Sequence, residues 1–252
     1  KFDVDLHTCD HIAQARFYTL DLLPKEYNTS QVREKIQSFS HHQCHAMGAY
    51  FTSGMKGKVI SLSHDGAGVR SRGKIYLCED GQTDLIHSQW SPTTSSLAGL
   101  WGVATERLGW AQLKDEGKVV GLAAHGKANN LIYHYFSQCS YYENMDFKGT
   151  AWESTFRYIC NKLEKDKWFE VEEKRADFAA TLQKFVEDNM VKLLSQLHQQ
   201  YPDYRKLSLS GGLFANVKLN QFINDLNYFD EIYIHQAMGD AGLGLGAAVC
   251  KA

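Results

Sequence analysis

Only three of the 252 residues are proline (Pro24, Pro92 and Pro202), and no low-complexity stretch or charge block marks a long linker. A chain of this length can form one large domain or two small lobes; two lobes would be interleaved or tightly joined. No Cys-x-x-Cys pair occurs among the six cysteines, Cys9, Cys44, Cys78, Cys139, Cys160 and Cys250. Their scatter fits reduced thiols in a cytosolic protein and argues against a disulfide framework or a thiolate zinc site. There is no basic excess: 27 Lys and Arg stand against 29 Asp and Glu, a net charge of −2, which disfavours nucleic acid and anionic membranes as partners. No apolar run approaches the ~20 residues of a membrane span, and no basic-then-apolar signal segment opens the chain. A cytoplasmic protein with no membrane association is expected. The chain opens with Lys1 rather than Met, so a piece of a longer or processed protein is expected as well.

The patterning that is present describes an α/β protein. Val32, Ile36 and Phe39 recur at helical spacing over residues 31–39. Ser40 is placed to cap a second helix running through Thr52, with Gly54 ending it. Val59–Leu62, Lys74–Leu77 and Leu85–Trp90, separated by Asp65-Gly66-Ala67-Gly68 and Glu79-Asp80-Gly81, predict an antiparallel meander. Leu97–Leu108 and Val119–Ala124 read as helical, while residues 151–168 give only a weak helical pattern. Phe178, Leu182, Phe185, Met190, Leu193, Leu194 and Leu197 predict one long amphipathic helix. Near the end a unit occurs twice: a strand (Leu207–Ser210, then Ile232–Ile234), a glycine turn (Gly211-Gly212, then Met238–Gly242) and a helix. Such a unit presents unpaired backbone N–H groups to an anion.

Three imidazoles crowd the stretch Ser40-His41-His42-Gln43-Cys44-His45-Ala46. Residues four apart share a helix face, so His41 and His45 are placed to hold one metal ion, with Cys44 turned away. Neutral imidazole suits zinc, iron, copper or nickel; an added carboxylate moves the preference toward iron or another ion that accepts oxygen. Surface or capping histidines are the plainer alternative. Ser210-Gly211-Gly212-Leu213-Phe214-Ala215-Asn216 offers close backbone approach for a phosphate and an amide for a base or ribose, or else an ordinary tight turn. Glu116-Gly117-Lys118 adds a carboxylate and a cation beside glycine, against the alternative of a charged helix cap. Asp65 and Asp240 follow strands and adjoin glycines, positions that project into clefts or form Asx-turns.

Taken in order, six blocks resemble the amino-terminal domain of the carbamoyltransferase family of the nodulation and antibiotic-tailoring type. They are His41-His42-x-x-His45-Ala46, Asp65-Gly66-x-Gly68, Glu116-Gly117-Lys118-Val119-x-Gly121-Leu122-Ala123, Asp177-Phe178-Ala179-Ala180 with Gln183, Gly211-Gly212-x-x-Ala215-Asn216-x-x-x-Asn220, and Gly239-Asp240-Ala241-Gly242. That domain is similar to the tRNA threonylcarbamoyl-adenosine synthesis ATPase and belongs to the actin/sugar-kinase/chaperone-ATPase superfamily. The resemblance implies actin/sugar-kinase-like (ribonuclease-H-like) lobes with mixed sheets and flanking helices. It also implies a single transfer domain over residues 1–252, incomplete at its N-terminus and lacking the family's second, adenylate-forming domain.

In function it implies an O-carbamoyltransferase that moves a carbamoyl group from carbamoyl-adenylate, made from carbamoyl phosphate and ATP, to a hydroxyl of a small-molecule acceptor. The metal, iron by family, would be held by His41, His45, Asp65 and Asp240. The nucleotide would lie against Gly211, Gly212 and Asn216, with Glu116, Gly117 and Lys118 opposite. Lys118 would add charge stabilisation, and His42 would either shuttle a proton or serve as a hydrogen-bonded structural histidine. A separate or removed adenylate-forming domain would be the partner. The alternatives are a threonylcarbamoyl transferase acting on tRNA, disfavoured by the neutral charge, and a nucleotide-binding regulatory module without catalysis.

Overall fold

A computed structural model describes residues 5–16, 25–68, 70–90 and 93–252; Lys1 to Val4, Pro24 and Pro92 lie outside the described residues. Strand β1 (Ile12–Arg16) pairs in parallel with β2 (Ile36–Ser40), and a single turn of helix, α1 (Ser30–Glu34), lies between them. The helical spacing through Phe39 is thus corrected: the helix stops at Glu34, and Ile36 and Phe39 belong to a strand. Three apolar residues at steps of four and three carry too little periodicity to outweigh pairing with β1, a contact invisible to local spacing.

Helix α2 (His41–Thr52) follows directly, with the Ser40 hydroxyl accepting from the Gln43 N–H, and Gly54 at φ +70° takes the left-handed turn beyond its end. A five-stranded mixed sheet forms the centre. The expected meander, β3 (Lys58–His64), β4 (Ser71–Glu79) and β5 (Gln82–Trp90), makes one half. The other half is parallel to β3: after the small hairpin β6 (Tyr141–Glu143) and β7 (Asp146–Lys148) come β8 (Lys206–Ser210) and β9 (Glu231–Ile234), giving the order β5-β4-β3-β8-β9.

Alternation along β3 explains what each face does. Ile60 and Leu62 point into the large core, where they meet Ile75, Leu207 and Leu209 and residues of the helices α3 (Leu97–Arg107), α6 (Trp152–Lys165) and α7 (Glu172–Gln200). Each such leucine contributes roughly 1.5–3 kcal/mol by burial. The odd residues face α2: Val59 packs with Ala46, Met47 and Tyr50, Ser61 donates to the Ala46 carbonyl at 2.8 Å, and Ser63 donates to the His42 carbonyl at 3.2 Å. Small serines let α2 lie close on the sheet. The weak pattern over 151–168 proves to be α6, whose buried Trp152, Phe156, Ile159, Cys160 and Leu163 share one helix face. Helices α4 (Glu116–Ala123), α5 (Asn130–Cys139) and α8 (Val217–Asp225) complete the layer on that side, and α9 (Leu243–Lys251) packs on α2 on the other. All six cysteines are free thiols. Among the described residues no helix is long and apolar enough to cross a membrane.

Candidate metal centre and adjoining glycine turn

Period two along β3 places Asp65, the residue after His64, on the α2 side of the sheet, where His41 and His45 project from the first turn and a half of α2. Asp240 arrives from the far end of the chain. It begins the 3-10 turn that leads into α9, and α9 rests on α2 at a point where a Cβ on Gly246 would run into the Cys44 carbonyl. Only glycine allows that approach. Cys44 is buried and packs against Leu243 and Ala247 of α9.

One donor atom from each of His41, His45, Asp65 and Asp240 lies within 4.8 Å of all the others. His45 Nε2 is 3.2 Å from His41 Nε2, 3.1 Å from Asp65 Oδ2 and 3.3 Å from Asp240 Oδ1; His41 Nε2 is 3.6 Å and 3.4 Å from the same two oxygens. A tetrahedral ion with ligands at about 2.1 Å separates those ligands by about 3.4 Å, and the five separations that involve a histidine nitrogen, 3.1 to 3.6 Å, fall around that value. Burial opposes charge on His45, but hydrogen bonds to Asp240 and Asp65 outweigh it and raise its pKa. Burial likewise works against the Asp65 carboxylate, yet its bonds to His41 and His45 hold its pKa well below the usual range. The Asp240 side chain is 52% exposed, so the site opens to solvent on that side.

His42 differs from its neighbours. Burial, with the adjacent His41, pushes its pKa down to about 3, and its Nε2–H donates to the Ser71 carbonyl at 2.9 Å. A Cβ on Gly68 would collide with the His42 ring, so that ring forms the floor beneath the Asp65–Gly68 loop.

The glycine turn after β8 closes against the same loop. Gly211, at φ +96°, donates to the Met238 carbonyl, and its missing Cβ would overlap the His64 carbonyl. A Cβ on Gly212 would stand 2.9 Å from Asp65 Oδ1. Asn216 is held within the fold: its Oδ1 caps α8 by accepting from the Leu219 N–H, and its Nδ2 donates to Gln183 Oε1 of α7, both at 3.0 Å. Gln183 also lines a cavity of about 370 Å³ between α4, α7 and α8, with Val120, Ala123, Ala180, Glu187 and Phe222. Glu116, Gly117 and Lys118 open α4, which packs on α3 and α7, elements that carry none of the four candidate donors. Lys118 is 54% exposed and ion-paired with Asp115 at 3.0 Å; a Glu116 carboxylate oxygen accepts from the Leu113 N–H.

Residues that spacing did not single out support the loop. His64, fully buried with its pKa pushed down to about 4, donates Nδ1–H to Gln89 Oε1 at 2.8 Å and accepts from the Leu97 N–H at 3.1 Å. Ser96 donates to the Asp65 carbonyl at 2.7 Å, and Arg72 Nη1 to the Gly66 carbonyl at 2.8 Å. The His64 and Ser96 bonds span 25 to 33 residues and have no local signature.

A mixed α/β fold carrying a two-histidine, two-carboxylate cleft beside a glycine turn is thus the class of protein defined here. The family described as "Carbamoyltransferase N-terminus" matches residues 11–249, and the chain belongs to it. It is 31% identical over 237 residues to an uncharacterized protein of Methanocaldococcus jannaschii, MJ1058, covering 87% of this chain and 38% of that protein. To the nodulation protein NolNO of Sinorhizobium fredii it is 28% identical over 246 residues, covering 93% of this chain and 34% of the relative. The chain therefore spans about a third of the length of these relatives. Among solved structures, full-length HypF in a phosphate- and nucleotide-bound form superposes with a TM-score of 0.54 at 17% identity, over 90% of this chain and 45% of that one. Component A of the (R)-2-hydroxyglutaryl-CoA dehydratase of Acidaminococcus fermentans gives 0.54 at 16% identity, over 89% and 72%. At those identities the likeness is one of fold.

Proposed function

We propose that this chain is the transfer domain of an O-carbamoyltransferase that moves a carbamoyl group from carbamoyl-adenylate to a hydroxyl of a small-molecule acceptor. Convergence of His41, His45, Asp65 and Asp240 against Gly212, in a chain of the carbamoyltransferase family, supports this assignment. In the transfer, the hydroxyl oxygen bonds to the carbamoyl carbon, the bond from that carbon to the phosphate oxygen breaks, AMP leaves, and the hydroxyl proton passes to a base. A transition metal held by the four donors, iron by the resemblance, would polarise the carbamoyl carbonyl and offset charge on the leaving phosphate.

The rest falls to groups of the chain itself. Because Gly212 has no side chain, the turn after β8 lies directly on Asp65, and a phosphate received by its backbone N–H groups is brought beside the four donors. The cavity between α4, α7 and α8 is assigned to the nucleoside, with Val120, Ala123, Ala180 and Phe222 as apolar walls and Gln183 linking it through Asn216 to the glycine turn. Lys118 is available to phosphate, since an exposed pair such as that with Asp115 contributes little. His42 supports the Asp65–Gly68 loop. The step that makes carbamoyl-adenylate is assigned to an adenylate-forming domain outside these residues.

Single-turnover reaction of metal-loaded protein with synthetic carbamoyl-adenylate and a panel of polyhydroxylated acceptors is the test. AMP release that depends on acceptor, with a carbamoylated product that His45→Ala fails to make, is the expected result. Nucleotide binding with no acceptor-dependent release under any metal would reduce the chain to a regulatory module.

A further inference from the structure

We infer that Ser96 is a positioning residue for the metal ligand Asp65, and that α3 is the strut through which the metal loop is held in place. The inference rests on the assignment of His41, His45, Asp65 and Asp240 as a metal site.

Ser96 is completely buried, and its one hydroxyl makes two bonds. It donates to the Asp65 carbonyl at 2.7 Å and accepts from the Gly99 N–H at 2.9 Å as the N-cap of α3. The donor side of that hydroxyl is therefore spent on the backbone of a ligand residue rather than on water. Asp65 is fastened from the other flank as well: its N–H donates to the Arg72 carbonyl at 2.9 Å, and the Arg72 guanidinium bonds the next carbonyl, that of Gly66. With both peptide groups pinned, rotation about Cα–Cβ is the main freedom left to the carboxylate. The Gly66 N–H, bonded to Asp65 Oδ1 at 2.6 Å, restricts that rotation and leaves Oδ2 turned toward His45.

Helix α3 is itself anchored. Trp101, one turn and a half beyond the cap, donates its Nε1–H to the Glu116 carbonyl at 3.2 Å, and Gly99 admits the Trp152 ring against the helix. The Ser96 hydroxyl thus ties Asp65 to a helix anchored in the large core. Groups that orient first ligands typically change metal affinity by about 10- to 100-fold when removed. Because Ser96 acts on the backbone of Asp65 and not on its carboxylate, the lower end of that range applies.

The experiment measures the Co²⁺ or Fe²⁺ dissociation constant and the Co²⁺ absorption spectrum of folded wild type, Ser96→Ala, Ser96→Thr and His45→Ala. Thermal melts of the metal-free proteins set a temperature at which each is folded. About tenfold weaker binding in Ser96→Ala with an altered Co²⁺ spectrum, and binding within about threefold of wild type in Ser96→Thr, is the expected pattern. A helix cap with no part in the site would lower the melting temperature of Ser96→Ala and leave the dissociation constant of the folded protein alone, which overturns the inference. Equal weakening in Ala and Thr would also overturn it, by assigning the effect to packing. If wild type and His45→Ala bind metal equally poorly, the metal assignment fails and the inference with it; wild-type affinity in Ser96→Ala beside a defective His45→Ala refutes the inference alone.

Discussion

The two glycines that follow β8 should fail in different ways when each receives a methyl group. At Gly212 the new Cβ would stand 2.9 Å from Asp65 Oδ1, about half an ångström inside ordinary contact. Gly212 does not have a left-handed φ, so alanine meets no backbone strain there. The colliding atom is the end of a side chain, so relief comes from the carboxylate rotating or withdrawing. That motion moves Oδ2, 3.1 Å from His45 Nε2, by more than the ~0.2 Å within which ligand distances are ordinarily held. A weakening of metal binding by about 10- to 100-fold, about 1.4–2.8 kcal/mol, is expected, with little change in the melting temperature of the metal-free protein. Gly211→Ala is the contrast. Its φ of +96° disfavours a side chain, and the methyl would meet the His64 carbonyl, which cannot swing away. Left-handed strain of about 1–2 kcal/mol together with overpacking of about 1–3 kcal/mol should lower the melting temperature by roughly 5 °C or more. Calorimetric titration with metal and thermal melts of both variants provide the assay. Wild-type metal affinity in Gly212→Ala would refute the placement of the glycine turn against the ligand loop.

Further outcomes are expected at the same cleft. Purified protein should carry close to one first-row transition metal per chain, and elemental analysis of His45→Ala should show that content lost. Asp240→Asn should keep the fold, since asparagine begins a helical turn about as well as aspartate and the side chain is half exposed, yet lose both metal and carbamoyl transfer; full metal content would remove Asp240 from the ligand set. Buried, neutral His64 has its pKa lowered from 6.5 to about 4. The unfolded chain therefore binds a proton first as pH falls, so this contribution is fully present above about pH 6.5 and is lost toward pH 4, an effect of several kcal/mol across the window. Urea unfolding at pH 7, 5.5 and 4.5 should show that slope, and a slope no shallower in His64→Gln would exclude His64 as its source.

Much of the architecture was legible locally. Ser40 and the i, i+4 histidines announced α2, alternating strands with glycine turns announced the meander, and the apolar stripe from Phe178 to Leu197 announced α7, because cap chemistry and periodicity act within a few residues. Spacing by itself placed two metal candidates, His41 and His45, on one face; Asp65 and Asp240 entered through the family blocks. What brings all four within 4.8 Å is tertiary: the parity of β3, fixed by which of its faces meets the large core, aims Asp65 at α2, and the Gly246–Cys44 approach of α9 to α2 delivers Asp240 across some 195 residues of chain. The same cause separates Ile36 and Phe39, legible as helix and found in a strand, from the stretches read correctly, since β1 supplies the deciding contacts from elsewhere in the chain. Asn216, with residue chemistry suited to a nucleotide, spends its amide on a helix cap and on Gln183, while Ser96 and His64, ordinary in sequence, support the ligand loop. Residue type sets which bonds a side chain can make; only the folded neighbourhood decides which of them it does make.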